Sequence, residues 1–209
     1  MDTAKPQTGV KKDTLEKRVR SHLLCSSDVK SAVANACMEE ILSASEIIAD
    51  SFRSGGKLLL CGNGGSAADC QHMAAEFVSR LTKGFKRPGL PAIALTTDSS
   101  FITAFANDEG YEDVFARQVQ ALGKEGDILI GISTSGTSTN VMRAFEQAKE
   151  SGLKTILLSG KGGKGSSVDI TIAVPHDKTQ FIQEAHLAIE HIICDLVECH
   201  LFNTTSLSD

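Results

Sequence analysis

The sequence contains no tryptophan, a single tyrosine and no cluster of basic residues. Aromatic side chains form most stacking platforms for bases, and basic clusters attract phosphate backbones, so no nucleic-acid partner is expected. The formal net charge of the 209-residue chain is −5. Because the overall field repels anions, an anionic small ligand would have to be held by local groups.

Close cysteine pairs, the kind that hold structural zinc, are also missing. The six cysteines fall at irregular spacings inside apolar or helical segments, so we expect them to be reduced and buried. They are Cys25, Cys37, Cys61, Cys70, Cys194 and Cys199. The N-terminal segment is polar and lacks an apolar signal core, and no uncharged apolar run approaches the length of a membrane span. We therefore expect a cytoplasmic protein without a membrane partner.

Short apolar strands alternate with helical patterns along the chain. The predicted strands are residues 57–61, 91–95, 127–132, 154–159 and 169–174. Because they are apolar on both faces, they predict a parallel sheet that helices cover on both sides. The expected fold class is α/β, with a doubly wound five-stranded parallel sheet.

The chain length suits one well-buried domain with helical extensions. The predicted divisions are a flexible tail at residues 1–12 and a single domain at 13–209, with N-terminal helices in 13–54 and a C-terminal helix at 179–202. From Val29 to Phe52, apolar residues recur at three- and four-residue spacing behind capping residues near Ser27. This pattern predicts one long amphipathic helix.

Glycine-rich turns follow two of the predicted strands. The glycine turn, Gly62–Ser66, follows the first strand, and the hydroxyl turn, Ser133–Ser138, follows the third. In doubly wound sheets the ligand lies beyond the carboxyl ends of the strands, and the free N–H groups of a helix start favour an anion. Two such turns on neighbouring strands could enclose one phosphate and its polyol. Tight strand-to-helix connections also use glycine and serine, so a purely structural role stays open.

A dinucleotide site is an alternative for the glycine turn, because Gly62, Gly64 and Ala67 fit the loose glycine pattern of such sites. That pattern requires an acidic residue at the end of the next strand, about 20 residues on. The nearest candidate at a strand end, Asp98, lies much further along. The hydroxyl turn has no role in a dinucleotide site, and it contains more hydroxyl groups than capping requires, which favours a ligand there.

Two predicted helices carry candidate metal ligands. His72 and Glu76 are four residues apart, on one face of the helix after the glycine turn. Gln183 and His191 are eight residues apart on the C-terminal helix, within about a quarter turn of each other. Two imidazole nitrogens and two oxygens could form a tetrahedral Zn²⁺ shell. A surface His–Glu contact and a helix-packing histidine are the open alternatives.

Two further patterns have simpler interpretations. His186 and Glu190 form another pair four residues apart, for which we predict a solvated or intersubunit contact. Residues 160–165, GKGGKG, resemble a phosphate-binding loop but lack the hydroxyl residue after lysine, so a mobile turn is predicted there.

Five motifs occur in order between Leu23 and Leu201. They are CGNGGSAAD-x-x-H-x-x-x-E, PAIAL, FAND, GDILIGISTSGTSTNV and FIQEAHLAIEH. With these motifs at these spacings, the chain resembles the sugar isomerase (SIS) domain family, and more narrowly the phosphoheptose isomerases. Each motif is weak alone and specific in combination.

The resemblance implies a fold, a set of site residues and an assembly. It implies a flavodoxin-like sheet and one Zn²⁺ per subunit, bound by His72, Glu76, Gln183 and His191. It implies substrate contacts at Asn63, Gly64, Gly65, Ser66, Glu76, Asn107, Asp108, Ser133, Thr134, Ser135, Ser138 and Gln183, with the phosphate among the five hydroxyl residues. It also implies a homotetramer whose sites are shared between subunits.

The resemblance further implies a reaction. The expected enzyme is an aldose–ketose isomerase that converts D-sedoheptulose 7-phosphate to D-glycero-D-manno-heptose 7-phosphate through an enediol, the first step of activated nucleotide-heptose biosynthesis. A carboxylate suits proton transfer between carbons and an imidazole suits exchange at the oxygens. We therefore expect Glu76 as the carbon base and His191 as its acid partner.

Two alternatives share the fold. Non-enzymatic SIS regulators of replication initiation bind a partner protein, and they resemble this chain in the glycine turn and in QE-x-H. They lack the acidic residue one turn after the histidine and the late histidine, whereas Glu76 and His191 are present here, which favours an enzyme. An isomerase for another phosphosugar stays open.

Overall fold

A computed structural model describes residues 9–163 and 168–202, and these ranges form five strands and seven helices. The helices are α1 (Lys12–Ala36), α2 (Met38–Arg53), α3 (Gly65–Val78), α4 (Ser99–Asp108), α5 (Val114–Leu122), α6 (Thr139–Glu150) and α7 (Thr179–Phe202). The strands are β1 (Leu58–Gly62), β2 (Ala92–Ala94), β3 (Ile128–Ser133), β4 (Lys154–Gly160) and β5 (Ile170–Val174). Every predicted strand is present with its ends shifted by at most one residue, and α7 has the predicted bounds.

The five strands form one sheet in the order β2-β1-β3-β4-β5, and every pairing is parallel. The predicted doubly wound parallel sheet is therefore confirmed. The sheet grows outward in opposite directions from β1 and β3, where Gly62 lies opposite Ile132. A ligand crevice is expected at this switch point, between the carboxyl ends of the two strands.

Helices cover both faces of the sheet, as the doubly apolar strands predict. One core layer joins the sheet to α1, α2, α3 and α7 through side chains such as Ile41, Met73 and Ile189. The other joins it to α5 and α6 through side chains such as Val119 and Phe145, with α4 packed on its margin. The sheet thus holds α3 and α7 on the same side.

The single long helix predicted behind Ser27 is wrong. Helix α1 begins earlier, at Lys12, and ends at Ala36, and α2 starts at Met38. Between them Cys37 leaves helical geometry at φ −126°, and its thiol donates to the carbonyl oxygen of Ala173 in β5 at 3.4 Å. Packing against the sheet therefore interrupts a helical periodicity that continues in the sequence.

The predicted tail and the GKGGKG turn lie partly outside the described residues, and their mobility stays a prediction. Residues 1–8 and 164–167 are not described, and Lys12 of the predicted tail already belongs to α1. Before this gap, Gly163 donates its N–H to the carbonyl oxygen of Gly160 at 3.0 Å and closes a turn. Among the described helices, none has the length and apolar character to cross a membrane.

None of the six cysteines, all of which lie within the described ranges, forms a disulfide, which agrees with the expectation that they are reduced. Four of them are buried, whereas Cys25 and Cys199 are only partly buried. The expectation of burial therefore holds for the four cysteines whose side chains face a core layer.

Candidate active site

The glycine turn brings the start of α3 to the end of β1. Gly64 immediately precedes the helix at φ 58°, a left-handed conformation that glycine adopts readily, and no side chain caps the helix start. Gly64 and Gly65 are exposed, whereas the Ser66 side chain is buried in the first turn. Backbone N–H groups at this helix start are therefore open to an anionic ligand.

The hydroxyl turn brings several Oγ atoms together at the end of β3. Ser133 Oγ lies 2.9 Å from Ser138 Oγ and 3.4 Å from Ser135 Oγ. Ser138 precedes α6, but its side chain does not cap the helix. The carbonyl oxygen of Thr134 accepts a hydrogen bond from the N–H of Gly160 at 3.1 Å, which ties the turn to β4. The hydroxyl groups therefore face one another, and capping does not account for them.

The histidine cluster consists of His72 and Glu76 on α3 and His191 on α7. Nε2 of His72 lies 2.7 Å from Nε2 of His191 and 3.7 Å from Oε1 of Glu76. One potential ligand atom from each of the three residues lies within 4.8 Å of the other two. Tetrahedral zinc separates its ligand atoms by about 3.3 Å, so a shift of about half an ångström between the rings admits the ion. The donor set and its spacing therefore fit Zn²⁺.

The side chain of Gln183, on α7, lies beside the first residue of α3, away from the histidine cluster. A Cβ at position 65 would collide with Nε2 of Gln183, so the amide depends on glycine there for its place against the backbone. Gly65 precedes His72 by about two helical turns, or about 10 Å along the axis. The structure thus brings three of the four predicted metal ligands together and places the fourth beside the glycine turn.

Asn107 and Asp108 are exposed at the end of α4, where Asn107 Nδ2 donates to Asp108 Oδ1 at 2.8 Å. Apart from this bond between them, no hydrogen bond within the described ranges joins either side chain to a predicted site residue. Tyr111, three residues further on, reaches the site: its hydroxyl group donates to Asn63 Oδ1 at 3.2 Å.

Asn140 is a site residue that the sequence analysis did not predict. Its side chain is buried and exchanges two hydrogen bonds of 2.9 Å with the Asn63 amide, which fixes the orientation of that predicted substrate contact. Asn63, Tyr111 and Asn140 line a cavity of about 360 Å³ together with Glu112 and Thr139. The position of Asn140, two residues after the hydroxyl turn, is the one signal in the sequence that could have identified it.

The predicted solvated or intersubunit contact of His186 and Glu190 is wrong, because both side chains are fully buried within the subunit. Nε2 of His186 donates to the carbonyl oxygen of Ser159 at 3.1 Å, and burial lowers the pKa of His186 to about 4. Burial, together with the charge of Asp69, raises the pKa of Glu190 to about 8. Both groups are therefore neutral at pH 7, and no ion pair forms between them.

Known proteins resemble this chain in sequence and in fold. The SIS domain family model matches residues 25–160. A phosphoheptose isomerase from Roseiflexus sp. (strain RS-1) is 49% identical, and the match covers 91% of this chain and 96% of that protein. One from Aneurinibacillus thermoaerophilus is 50% identical over 91% of this chain and 97% of the relative. The chain belongs to the phosphoheptose isomerase family.

Solved structures agree with this assignment. The phosphoheptose isomerase of Neisseria gonorrhoeae superposes with a TM-score of 0.82 at 41% identity, covering 88% of this chain and 98% of that structure. The chain is therefore an isomerase with the SIS fold, as the sequence predicts. Neither the dinucleotide-binding nor the regulator alternative fits an enzyme of this family.

Replacing His186 with glutamine is expected to remove a pH dependence of stability. The ordinary pKa of 6.5 in the unfolded chain exceeds the folded value of about 4, so the unfolded state binds more protons between these values. The contribution of His186 to stability therefore falls by about 2 kcal/mol between pH 7.5 and pH 5, whereas Glu190, with its raised pKa, changes stability in the opposite direction in both proteins. Urea unfolding of the metal-free isomerase and the variant at both pH values measures the difference between them, and an identical change with pH in both proteins would contradict the buried neutral imidazole.

Proposed function

We propose that this isomerase converts D-sedoheptulose 7-phosphate to D-glycero-D-manno-heptose 7-phosphate through an enediol, the first step of activated nucleotide-heptose biosynthesis. One observation carries the proposal: a carboxylate and two imidazoles meet on α3 and α7, and α3 begins at the glycine turn, which lies next to the hydroxyl turn at the same edge of the sheet. The names of the relatives support a phosphorylated heptose as the substrate.

The phosphate is proposed to bind where α3 and α6 start. Its partners are the hydroxyl groups of Ser66, Ser133, Thr134, Ser135 and Ser138. The convergence of the Ser133, Ser135 and Ser138 hydroxyl groups, and the helix starts without side-chain caps, support an anion at this place. The sugar chain is proposed to contact Asn63, Gly64, Gly65, Glu76, Asn107, Asp108 and Gln183. Asn107 and Asp108 are exposed and hydrogen-bond to each other, so their contact with the sugar is proposed from the family resemblance alone.

One Zn²⁺ per subunit is proposed to bind His72, Glu76, Gln183 and His191. The spacing and chemistry of the histidine cluster support three of these ligands. Gln183 would have to turn its amide away from Gly65 to become the fourth. A bound ion would supply Lewis-acid polarisation of the substrate carbonyl.

Glu76 and His191 are proposed to move the protons. Glu76 removes a proton from C1 of the open-chain ketose, the C1–H electron pair forms the C1=C2 bond of the enediol, and O2 receives a proton from His191. Glu76 then returns its proton to C2, while His191 takes the proton of the O1 hydroxyl group and leaves an aldehyde at C1. A carboxylate that held zinc tightly would be a poor base, so either the coordination of Glu76 would have to loosen during turnover or one of its two proposed roles is wrong.

A homotetramer with sites shared between subunits is also proposed. Leu15, Val19 and Leu23 form an apolar stripe on α1, and their exposed fractions of 50%, 61% and 64% leave it uncovered in the subunit. This stripe supports an interface between copies of the chain.

Replacing Val19 with glutamate should dissociate the tetramer, because a charge would have to be buried in the interface. Multi-angle light scattering of the wild type should give four times the chain mass of 22.2 kDa, and the variant should give a smaller species. Lys17→Glu, a charge change off the stripe, is the control. A monomeric wild type would overturn the proposed assembly.

Replacing Glu76 with glutamine should abolish turnover while the fold persists, since the amide cannot accept the C1 proton. The measurement is NMR of sedoheptulose 7-phosphate incubated with protein of known metal content, which detects the aldoheptose phosphate. Glu150→Gln, the same change at an exposed position on α6, should keep wild-type activity. A fully active Glu76→Gln variant would refute the role of Glu76, and a metal-loaded wild type without product would refute the reaction.

Replacing Ser135 with alanine should raise the KM for sedoheptulose 7-phosphate at least tenfold, because one hydrogen bond to a charged group contributes about 1.5–3 kcal/mol. The value of kcat and the zinc content should stay unchanged. Steady-state kinetics with sedoheptulose lacking the phosphate provides the control. An equal rise in KM for both sugars would argue against phosphate binding at Ser135.

A further inference from the structure

Arg87, in the segment between α3 and β2, is buried with a side-chain exposed fraction of 1%. Its Nη2 group donates to the carbonyl oxygen of Glu76 at 2.8 Å, and Nη1 donates to that of Phe77 at 2.7 Å. Its Nε group donates to Oε1 of Glu198 at 2.7 Å. One guanidinium group thus contacts the last turn of α3 and a carboxylate of α7.

The two carbonyl groups are ones that α3 cannot satisfy by itself. The last four carbonyl groups of a helix have no intrahelical donor, and in α3 they include those of Glu76 and Phe77. A positive charge at a helix C-terminus is also favourable. Arg87 therefore fixes the end of α3 through the backbone of the residue that carries the proposed base.

Glu198 ties the same guanidinium to the helix that carries His191. It follows His191 by seven residues, which places both on nearly the same side of α7, about 10 Å apart along the axis. The Glu198 side chain is 6% exposed, so the ion pair is almost dry and its geometry is held tightly. The contact therefore limits both the sliding and the rotation of α3 against α7.

Lysine cannot reproduce this contact. The planar guanidinium directs its N–H groups to three acceptors on two helices, whereas an ammonium group is a single point of charge on a flexible stem. Without the planar guanidinium group, the end of α3 and the carboxylate of α7 are no longer held by one rigid group.

We propose that Arg87 is a positioning residue of the isomerase: by clamping the last turn of α3 to Glu198, it sets the placement of Glu76 and His72 against His191. This inference rests on the proposed function of the histidine cluster. A displacement of about 1 Å at a catalytic group can lower a rate about 100-fold, so the clamp acts on catalysis as well as on folding.

The test compares Arg87→Lys with the wild type in kcat, KM and zinc affinity, the last by competition with a chromophoric chelator. We expect kcat to fall at least tenfold with KM within about threefold, and zinc affinity to fall about tenfold, in the range seen for groups that orient metal ligands. A merely structural role would lower the urea midpoint and leave kcat and zinc affinity of the folded enzyme unchanged, and that result would overturn the proposal.

Glu198→Gln and the double variant test the link to α7. If both residues act through one contact, the double variant should be no slower than Arg87→Lys alone, whereas multiplied losses would overturn the clamp. Arg143→Lys, in an exposed ion pair with Asp113, is the matched control and should stay within twofold of the wild type.

The outcomes also separate this inference from the proposed function. Wild-type kcat and zinc affinity in Arg87→Lys, beside an inactive Glu76→Gln variant, would refute the clamp alone. A fully active Glu76→Gln variant, beside weakened zinc binding in Arg87→Lys, would refute the chemistry assigned to Glu76 and leave the clamp standing. If the wild type binds no zinc, kcat alone tests the clamp: a value at least tenfold lower in Arg87→Lys would support it, and an unchanged value would refute it.

Discussion

The parallel pairing of β1 with β3 is the constraint on which the site depends. Gly62 lies opposite Ile132 in this pair, so two turns that are far apart in the sequence end side by side at one edge of the sheet. Both strands are buried on both faces, and their side chains leave little freedom for another register. Helices α3 and α6 therefore start next to each other, and both helix starts face the same crevice.

The packing of α3 against α7 adds the second half of the site. Apolar residues such as Ile189 and Ile193 hold α7 in the core, but the helix also buries ionisable side chains at every fourth position: His186, Glu190, Cys194 and Glu198. Burial keeps His186 and Glu190 neutral, and it raises the pKa of the Cys194 thiol. Among these four side chains, Glu198 therefore carries the charge, and it lies opposite Arg87. Helix α7 is thus held by apolar packing and anchored by one buried ion pair.

Sequence reasoning predicted what depends on local pattern. Strands that are apolar on both faces can be identified without their neighbours, and the long apolar periodicity of α7 gave its ends. The break at Cys37 was missed because it is caused by a contact with β5, which local periodicity does not contain. The spacing of His186 and Glu190 shows that they share a side of the helix, but not that this side faces the core.

The site residues also divide into those that a local pattern predicts and those that depend on long-range contacts. Helical spacing made His72, Glu76 and His191 candidate ligands and the resemblance assigned them to a site, and the structure brings them together from two helices. Asn140 lies 77 residues from its partner Asn63, and Arg87 lies 111 residues from Glu198, so neither pairing leaves a local pattern in the sequence. Contacts of this kind appear only when the fold has brought the elements together.

The length of α3 sets the distance between the proposed phosphate-binding groups and the histidine cluster. An acidic chain has to bind a phosphate without an attractive overall field, and the proposed binding groups are hydroxyls and backbone N–H groups at one end of α3. The histidine cluster begins about two helical turns further on, about 10 Å from Gly65 along the axis. A phosphate at one end of a seven-carbon chain and a carbonyl at the other are separated by a comparable length. The carboxylate of Glu76 can then act on the reactive carbons while the phosphate charge stays distant from it, so the length of the helix separates two negative groups that a compact site would bring into conflict.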